Sequence, residues 1–229
     1  MQSFIDEFTR NFIIDNRYRY IAEGFVNTLI ISFFAVLVGI VVGFLVAIIR
    51  SGYDRTGRMK IANFICQVYL TVMRGTPTML QVLITYYVIF AAANVSKIFV
   101  AVVAFGLNSG AYVAEIVRSG IMSVDEGQFE AGRSLGLNYR QTMQFIIVPQ
   151  AFKNVLPALG NEFIVLLKET SISGYIGLTD LTHGGDIIRG ITFSAFMPLV
   201  AVALIYLLLV TGLSWCVNRL ERRLRVSER

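Results

Sequence analysis

Charge is what this chain has least of. Only 15% of its 229 residues are Asp, Glu, Lys or Arg, against 55% hydrophobic residues, a balance that excludes an ordinary soluble domain. Gly24 to Ile49 and Ile191 to Asn218 carry no charged residue at all, as membrane-crossing helices require. Histidine occurs once and cysteine twice. Cys66 and Cys216 both sit in apolar stretches without metal-ligand spacing, so they read as small apolar residues. His183 with Asp180 and Asp186 matches no strong metal site and reads as part of a solvated loop. No nucleophile elbow, HExxH or phosphate-cradling GxxxxGK(S/T) occurs. The net charge of +5 does not point to nucleic acid, because the basic residues form no single patch but alternate between loops. Residues 1–20 hold Asp6, Glu7, Arg10, Asp15, Arg17 and Arg19 and so lack a signal-peptide pattern. The first span is expected to be its own insertion signal.

Five spans are expected. Residues 1–20 read either as an amphipathic helix along the surface or as a polar tail. Residues 21–220 hold the spans, and 221–229 form a basic tail. Gly39 and Gly43 in span one make a small-xxx-small pair for close helix packing. Span two, Ile61 to Ala93, is too long for one straight crossing and should break at Arg74-Gly75-Thr76-Pro77, since Pro77 removes a donor and disfavours helix at Thr76. Asn94 to Lys97 is a turn before span three, Ile98 to Arg118. Span four, Phe152 to Glu169, is the most polar, and Ser171 to Thr192 reads as a short extramembrane excursion before span five, Ile191 to Asn218. Thirteen Lys and Arg fall on the side of Arg50, Arg133 and Arg219, and six on the side of Arg10, Lys97 and Arg189, with Arg74 inside a span. The side with the excess is cytoplasmic, which puts the N-terminus outside and the C-terminus inside.

The longest polar interruption, 123–149, lies on that cytoplasmic side. Ser123 with Glu126 has capping-box spacing, so a helix should start near Val124. Gly136 should end that helix in the left-handed region, with Leu137 behind it. Asn138 with Gln141 should cap a second short helix that Pro149 stops. The product is a rigid knuckle fit for gripping from outside the membrane.

Glu130-Ala131-Gly132, then Gly136, then Ile146-Ile147-Val148-Pro149 resembles the EAA loop of membrane subunits in bacterial ABC importers. The pattern departs from that family at Gly132, where a second alanine is usual, and at Val148, where leucine is usual. Arg74-Gly75-Thr76-Pro77, Ala111 to Arg118, Leu159 to Phe163 and Leu167 to Ser171 are similar to the polar amino-acid permeases. The resemblance implies an all-α polytopic permease of the type I importer kind, multi-pass in a bacterial cell membrane. It implies that Glu130, Ala131, Gly132, Arg133 and Gly136 form the coupling element. Its partners would be ATPase subunits that hold ATP and Mg, a second permease copy or a homologue, and an extracytoplasmic binding protein. This chain itself would bind no cofactor.

Ionisable groups in hydrocarbon are costly and mark transport paths. Arg74 beside the break either faces a polar cavity or pairs with Glu115 or Glu162. Asn161 and Glu162 could meet an amino acid's ammonium or a basic side chain, unless Glu162 is taken by Lys168 or Arg74. Asn108 and Ser109 either line the same cavity or glue helices. Glu115 reads mainly as a local partner of Arg118. Lys168, Glu169 and Thr170 form either a snorkelling outer end or, by resemblance, a gate. An ion-coupled secondary transporter or channel is the alternative reading, and an intramembrane enzyme ranks last.

Overall fold

The computed structural model describes residues 2–226, giving the backbone alone for residues 2–3, 55–56 and 225–226. Met1 and residues 227–229, which close the basic tail, lie outside the described residues. All regular structure among the described residues is helical. Helix α1 (Gln2–Phe8) leads through a π-helical turn (Thr9–Ile13) and a 3-10 turn (Ile14–Asn16) into α2 (Tyr18–Thr56). Then come α3 (Lys60–Gly75), α4 (Thr78–Ile84) with a π turn (Thr85–Ile89), and α5 (Lys97–Met122). Helices α6 (Gly127–Ser134) and α7 (Tyr139–Thr142) make the knuckle, and α8 (Val148–Glu169), α9 (Leu181–Thr192) and α10 (Phe196–Val226) complete the chain. Within the described residues, three helices are long and apolar enough to cross a membrane: Tyr18–Asp54, Lys97–Met122 and Phe196–Leu224.

The centre of the bundle is the seam between α2 and α5. Lipid supplies little hydrophobic drive for helices to associate, so close packing over small residues must do it. A Cβ on Gly43 would lie 2.5 Å from Val113, and one on Gly39 would lie 2.8 Å from the Ser109 hydroxyl. Ile31, Ala35 and Val36 of α2 pack with Ala101, Ala104 and Phe105 of α5, and Leu166 of α8 closes that cluster.

Span two breaks as expected. Thr76 is extended (φ −122°, ψ 149°) ahead of Pro77, and helix resumes at Thr78.

Four expectations need correction. Ser123 does not start the next helix: its hydroxyl donates to Gly120 O at the end of α5. Just ahead of α6, Asp125 Oδ1 accepts from Gly127 N at 2.7 Å, and α6 starts at Gly127 after Glu126, which caps it with no side-chain hydrogen bond. Pro149 stops nothing, because the π turn Met143–Ile147 precedes it and the proline sits in the first turn of α8, where its missing donor costs little. The last apolar helix, α10, begins at Phe196 rather than at Ile191, where the last span was expected to start, since α9 runs to Thr192 and Phe193 turns left-handed (φ 53°).

The excursion over 171–192 is the fourth. It is not a solvated loop but a 3-10 turn (Thr170–Ile176) and α9, packed tightly on α2, with Leu181, Ile188 and Thr192 buried. A Cβ on Gly24 would lie 2.3 Å from Asp180 O, so only glycine lets these backbones meet. Thr28 of α2 accepts from Leu181 N, and Asn27 donates to Thr179 O. The N-terminal segment joins the same assembly. Asn11 is fully buried and accepts from Thr192 at 2.8 Å, while the Arg10 guanidinium donates to Thr192 O, capping the end of α9.

Candidate functional site

The break between α3 and α4 frees backbone carbonyls, and two amides collect them. Gln81 Nε2 shares its hydrogens among Met73 O (2.9 Å), Thr76 O (3.1 Å) and Thr76 Oγ1 (2.8 Å). Asn108, on α5, donates to Gln81 Oε1 at 2.9 Å and is itself buried. Asn108 therefore braces the break rather than facing a cavity. Gln81 went unnoticed in the sequence because nothing local distinguishes it from any other glutamine.

Beside the braced break an open groove of about 430 Å³ runs between α5 and α8, lined by Arg74, Tyr112, Glu115, Ser119, Asn154 and Glu162 among others. Arg74 Nη1 lies 3.5 Å from Glu115 Oε2, with the two side chains 47% and 38% exposed. A long, solvent-screened pair of this kind contributes little stability, so it does not lock two spans together. Glu115 thus pairs with Arg74 rather than with Arg118, although Glu115 and Arg118 both line a second, smaller cavity on the other side of α5. Glu162 is half-buried, and its Oε1 accepts from Ser109 at 2.7 Å. Ser109 is the residue against which Gly39 packs, so the α2–α5 seam fixes the orientation of a groove carboxylate.

The other expected path residues lie elsewhere. Asn161 is exposed on a different face of α8 from Glu162 and does not line the groove. Lys168 is exposed and Glu169 half-buried at the far end of α8, and Thr170 is buried there, donating to Leu167 O. Asp180 and His183 form no metal cluster, and among the described residues no group of three or more His, Cys, Asp or Glu could hold one. Asp180 caps α9 instead, accepting from Thr182 N and His183 N through Oδ1. Its Oδ2 is buried without a partner, and burial pushes its pKa up to about 6, ahead of the backbone hydrogen bonds that pull it down.

The knuckle is the second part of the site. Leu137 N donates to Gly132 O and Gly136 N to Arg133 O, with Gly136 at φ +77°, the Schellman ending that glycine permits. Asn138 and Gln141 make a full capping box at the start of α7. A Cβ on Gly132 would lie 2.6 Å from Thr142, which accounts for glycine where the resemblance leads one to expect alanine. Phe129 and Tyr139 stack, and Val124, Ile147 and Ala151 form a core that fastens α6 to the start of α8. Glu130, Ala131, Arg133 and Gly136 are left exposed, together with Leu135 at 75%. Leu135 was not singled out in the sequence, where the hydrophobic contact at the helix end falls to Leu137 behind Gly136.

An all-helical bundle with a proline-broken span, a groove holding ionisable groups and an exposed, rigidly attached knuckle narrows the comparison with known proteins. Residues 39–226 match the family described as the binding-protein-dependent transport system inner membrane component. The chain belongs to this family. It is a permease subunit, multi-pass in the inner membrane, and its relatives are permeases rather than enzymes. The glutamine transport system permease protein GlnP of Escherichia coli (strain K12) is 39% identical over 207 residues, covering 89% of this chain and 92% of the relative. A putative glutamine transport system permease protein GlnP of Rickettsia prowazekii (strain Madrid E) is 38% identical over 210 residues, covering 91% and 94%. Among solved structures, an amino acid ABC transporter with histidines superposes with a TM-score of 0.84 at 39% identity, covering 92% of this permease and 96% of that chain. A chain of the inward-facing MetNI methionine ABC transporter shares the fold, with a TM-score of 0.75 at 18% identity, covering 90% and 96%.

Proposed function

We propose that this permease carries polar amino acids inward across a bacterial cell membrane, glutamine or a basic amino acid among them, as part of an ATP-driven complex. The observation that carries the reading is the groove, where Arg74, Glu115 and Glu162 from three helices border one volume beside a helix break. An amino acid presents a carboxylate and an ammonium, and this set offers a guanidinium to one and carboxylates to the other. The names of the relatives, glutamine permeases and an amino acid transporter, support the same class.

Two copies, or one copy and a homologue, would enclose the path. The excess of Lys and Arg on the knuckle side supports five crossings with the N-terminus outside and the C-terminus cytoplasmic. An ATPase holding ATP and Mg would dock on Glu130, Ala131, Arg133 and Gly136, and a binding protein would deliver substrate at the outer face, near Lys168, Glu169 and Thr170. Docked ATPases supply the differential binding that a two-state switch needs. Their pull on α6 passes through the Val124–Ile147–Ala151 core into α8, which carries Glu162.

The test is uptake of labelled glutamine, arginine, lysine and histidine into proteoliposomes carrying the full complex. ATP-dependent uptake is expected for wild type. Glu162→Gln should lower uptake with the ATPase still bound, and Gly136→Trp should lose the ATPase while the permease stays in the membrane. Uptake that ignores ATP and collapses with an ion gradient would overturn the reading in favour of a secondary transporter.

A further inference from the structure

A second charged cavity, about 140 Å³ and more enclosed than the groove, lies where α2, α3 and α5 approach one another on the side of the Lys and Arg excess. Arg50, Asp54, Glu115 and Arg118 supply its charge, and Ala47, Leu70 and Ala114 are part of its apolar wall. Glu115 is engaged by Arg74. Arg50, Asp54 and Arg118 make no ion pair among the described residues. Arg50 is half-buried, and its Nε is buried with no hydrogen-bond partner. A guanidinium donor left unmatched in a partly desolvated wall is costly unless something accepts from it.

We propose that this cavity is a second, cytoplasm-facing site for the zwitterionic head of an α-amino acid. Arg50 and Arg118 receive the α-carboxylate, whose two oxygens match the guanidinium fork, and Asp54 receives the α-ammonium. The proposal rests on the amino-acid reading of the permease and adds to it a place for substrate on the cytoplasmic side of the groove. Glu115 borders both volumes, so a molecule leaving the groove meets this site next. Apart from Ser51 the rest of the wall is apolar, so the site reads chiefly the head group and little of the side-chain identity. Two cations against one free carboxylate also suit a bare oxyanion such as a lipid phosphate, and the test separates these sources.

The measurement is the rate at which phenylglyoxal modifies Arg50 and Arg118, read by mass spectrometry on the assembled transporter in nanodiscs of neutral lipid. L-Glutamine on the cytoplasmic side should slow modification of both arginines several-fold, and 4-aminobutanamide, its decarboxylated form, should not. Asp54→Asn should abolish that protection, and Glu162→Gln should keep it. Equal protection by inorganic phosphate, unaffected by Asp54→Asn, would overturn the zwitterion site and leave an anion or lipid-headgroup site. No protection by L-glutamine at saturation would overturn it outright. ATP-driven uptake measured on the same preparation keeps this outcome apart from failure of the amino-acid reading, which would abolish uptake of all amino acids tried.

Discussion

The knuckle around Gly136 and the cap made by the N-terminal segment with α9 are both small helical assemblies, but they are fastened differently. In the knuckle the hydrogen-bonded partners are close in sequence, Asn138 with Gln141 and Leu137 with Gly132. In the cap they are distant: Asn27 to Thr179, Thr28 to Leu181, Asn11 to Thr192 and Arg10 to Thr192 span 152, 153, 181 and 182 residues. Local fastenings form with their own helix and persist if the rest loosens. Distant ones form only when α2 and α9 are already docked, because the chain between them must first be ordered. The knuckle should therefore behave as a stiff lever and the cap as a cooperative part of the bundle.

The sharpest way to break that contrast is one substitution made in both places. Gly24→Ala puts a Cβ 2.3 Å from the Asp180 carbonyl, backbone against backbone, with no side chain to move aside. Overpacking of this sort costs about 1–3 kcal/mol, and the upper end is expected. Gly136→Ala meets nothing within 4 Å and loses only its left-handed ease, about 1 kcal/mol. Thermal unfolding in detergent should show the larger drop for Gly24→Ala. Equal drops would mean that the cap relaxes as easily as the knuckle.

Next in size is Thr192→Val. It keeps the shape but removes the hydroxyl that lies 2.8 Å from both Asn11 Oδ1 and Ile188 O. Leaving the Oδ1 of buried Asn11 without a donor should cost about 2 kcal/mol. Amide exchange should speed up over Thr9–Ile13 and the last turn of α9 and stay unchanged over the knuckle. Faster exchange in the knuckle as well would mean that the two ends are coupled.

These two regions also explain what was legible beforehand. Gly136, Asn138 with Gln141, and Pro77 act on their immediate neighbours, so spacing alone reveals them. Ser123 misled because Ser–x–x–Glu spacing says nothing of a preceding helix that has not yet ended, and α5 claims the serine. Pro149 misled because a π turn, which no local residue announces, had already rearranged the hydrogen bonds that the proline would have lost. The excursion looked solvated because Gly, Ser and Thr are common in loops, yet here they are the small and polar residues that let α9 lie against α2. In the groove, Arg74, Glu115 and Glu162 stood out as charges in an apolar chain. Which charge faces which depends on helix packing, and so do the Ser109–Glu162 bond and the Gln81 brace.

A smaller effect tests the cap by pH. Asp180 ionises less readily when folded, at about 6 against an ordinary 3.8. Below the lower value both states are protonated and nothing is lost. As pH rises the unfolded chain ionises first, so stability falls through this window and levels off above about 6. The loss between about pH 5 and pH 7.5 should be about 1 kcal/mol. Asp180→Asn keeps an oxygen to cap Thr182 and His183 and removes the buried charge, so its unfolding midpoint should vary less with pH over that range. A wild-type midpoint that rises from pH 5 to pH 7.5, with Asp180→Asn flattening the rise, would give the charge a partner in the folded protein.

The smallest effect on stability is expected at the knuckle, and there its reach is what matters. Asn138→Ala removes the side chain that accepts from Gln141 N, leaving of the capping box only the backbone N–H of position 138 donating to Gln141 Oε1. Losing such a cap costs about 1 kcal/mol, confined to a single short turn, so the unfolding midpoint should barely move. That turn is nevertheless the link between α6 and α8. If the knuckle is a lever, loosening it should let the ATPase turn over without moving α8, raising ATP consumed per amino acid imported. An unchanged ratio would place the stiffness in the Val124–Ile147–Ala151 core, where Ala151→Gly should then raise the ratio that Asn138→Ala left alone.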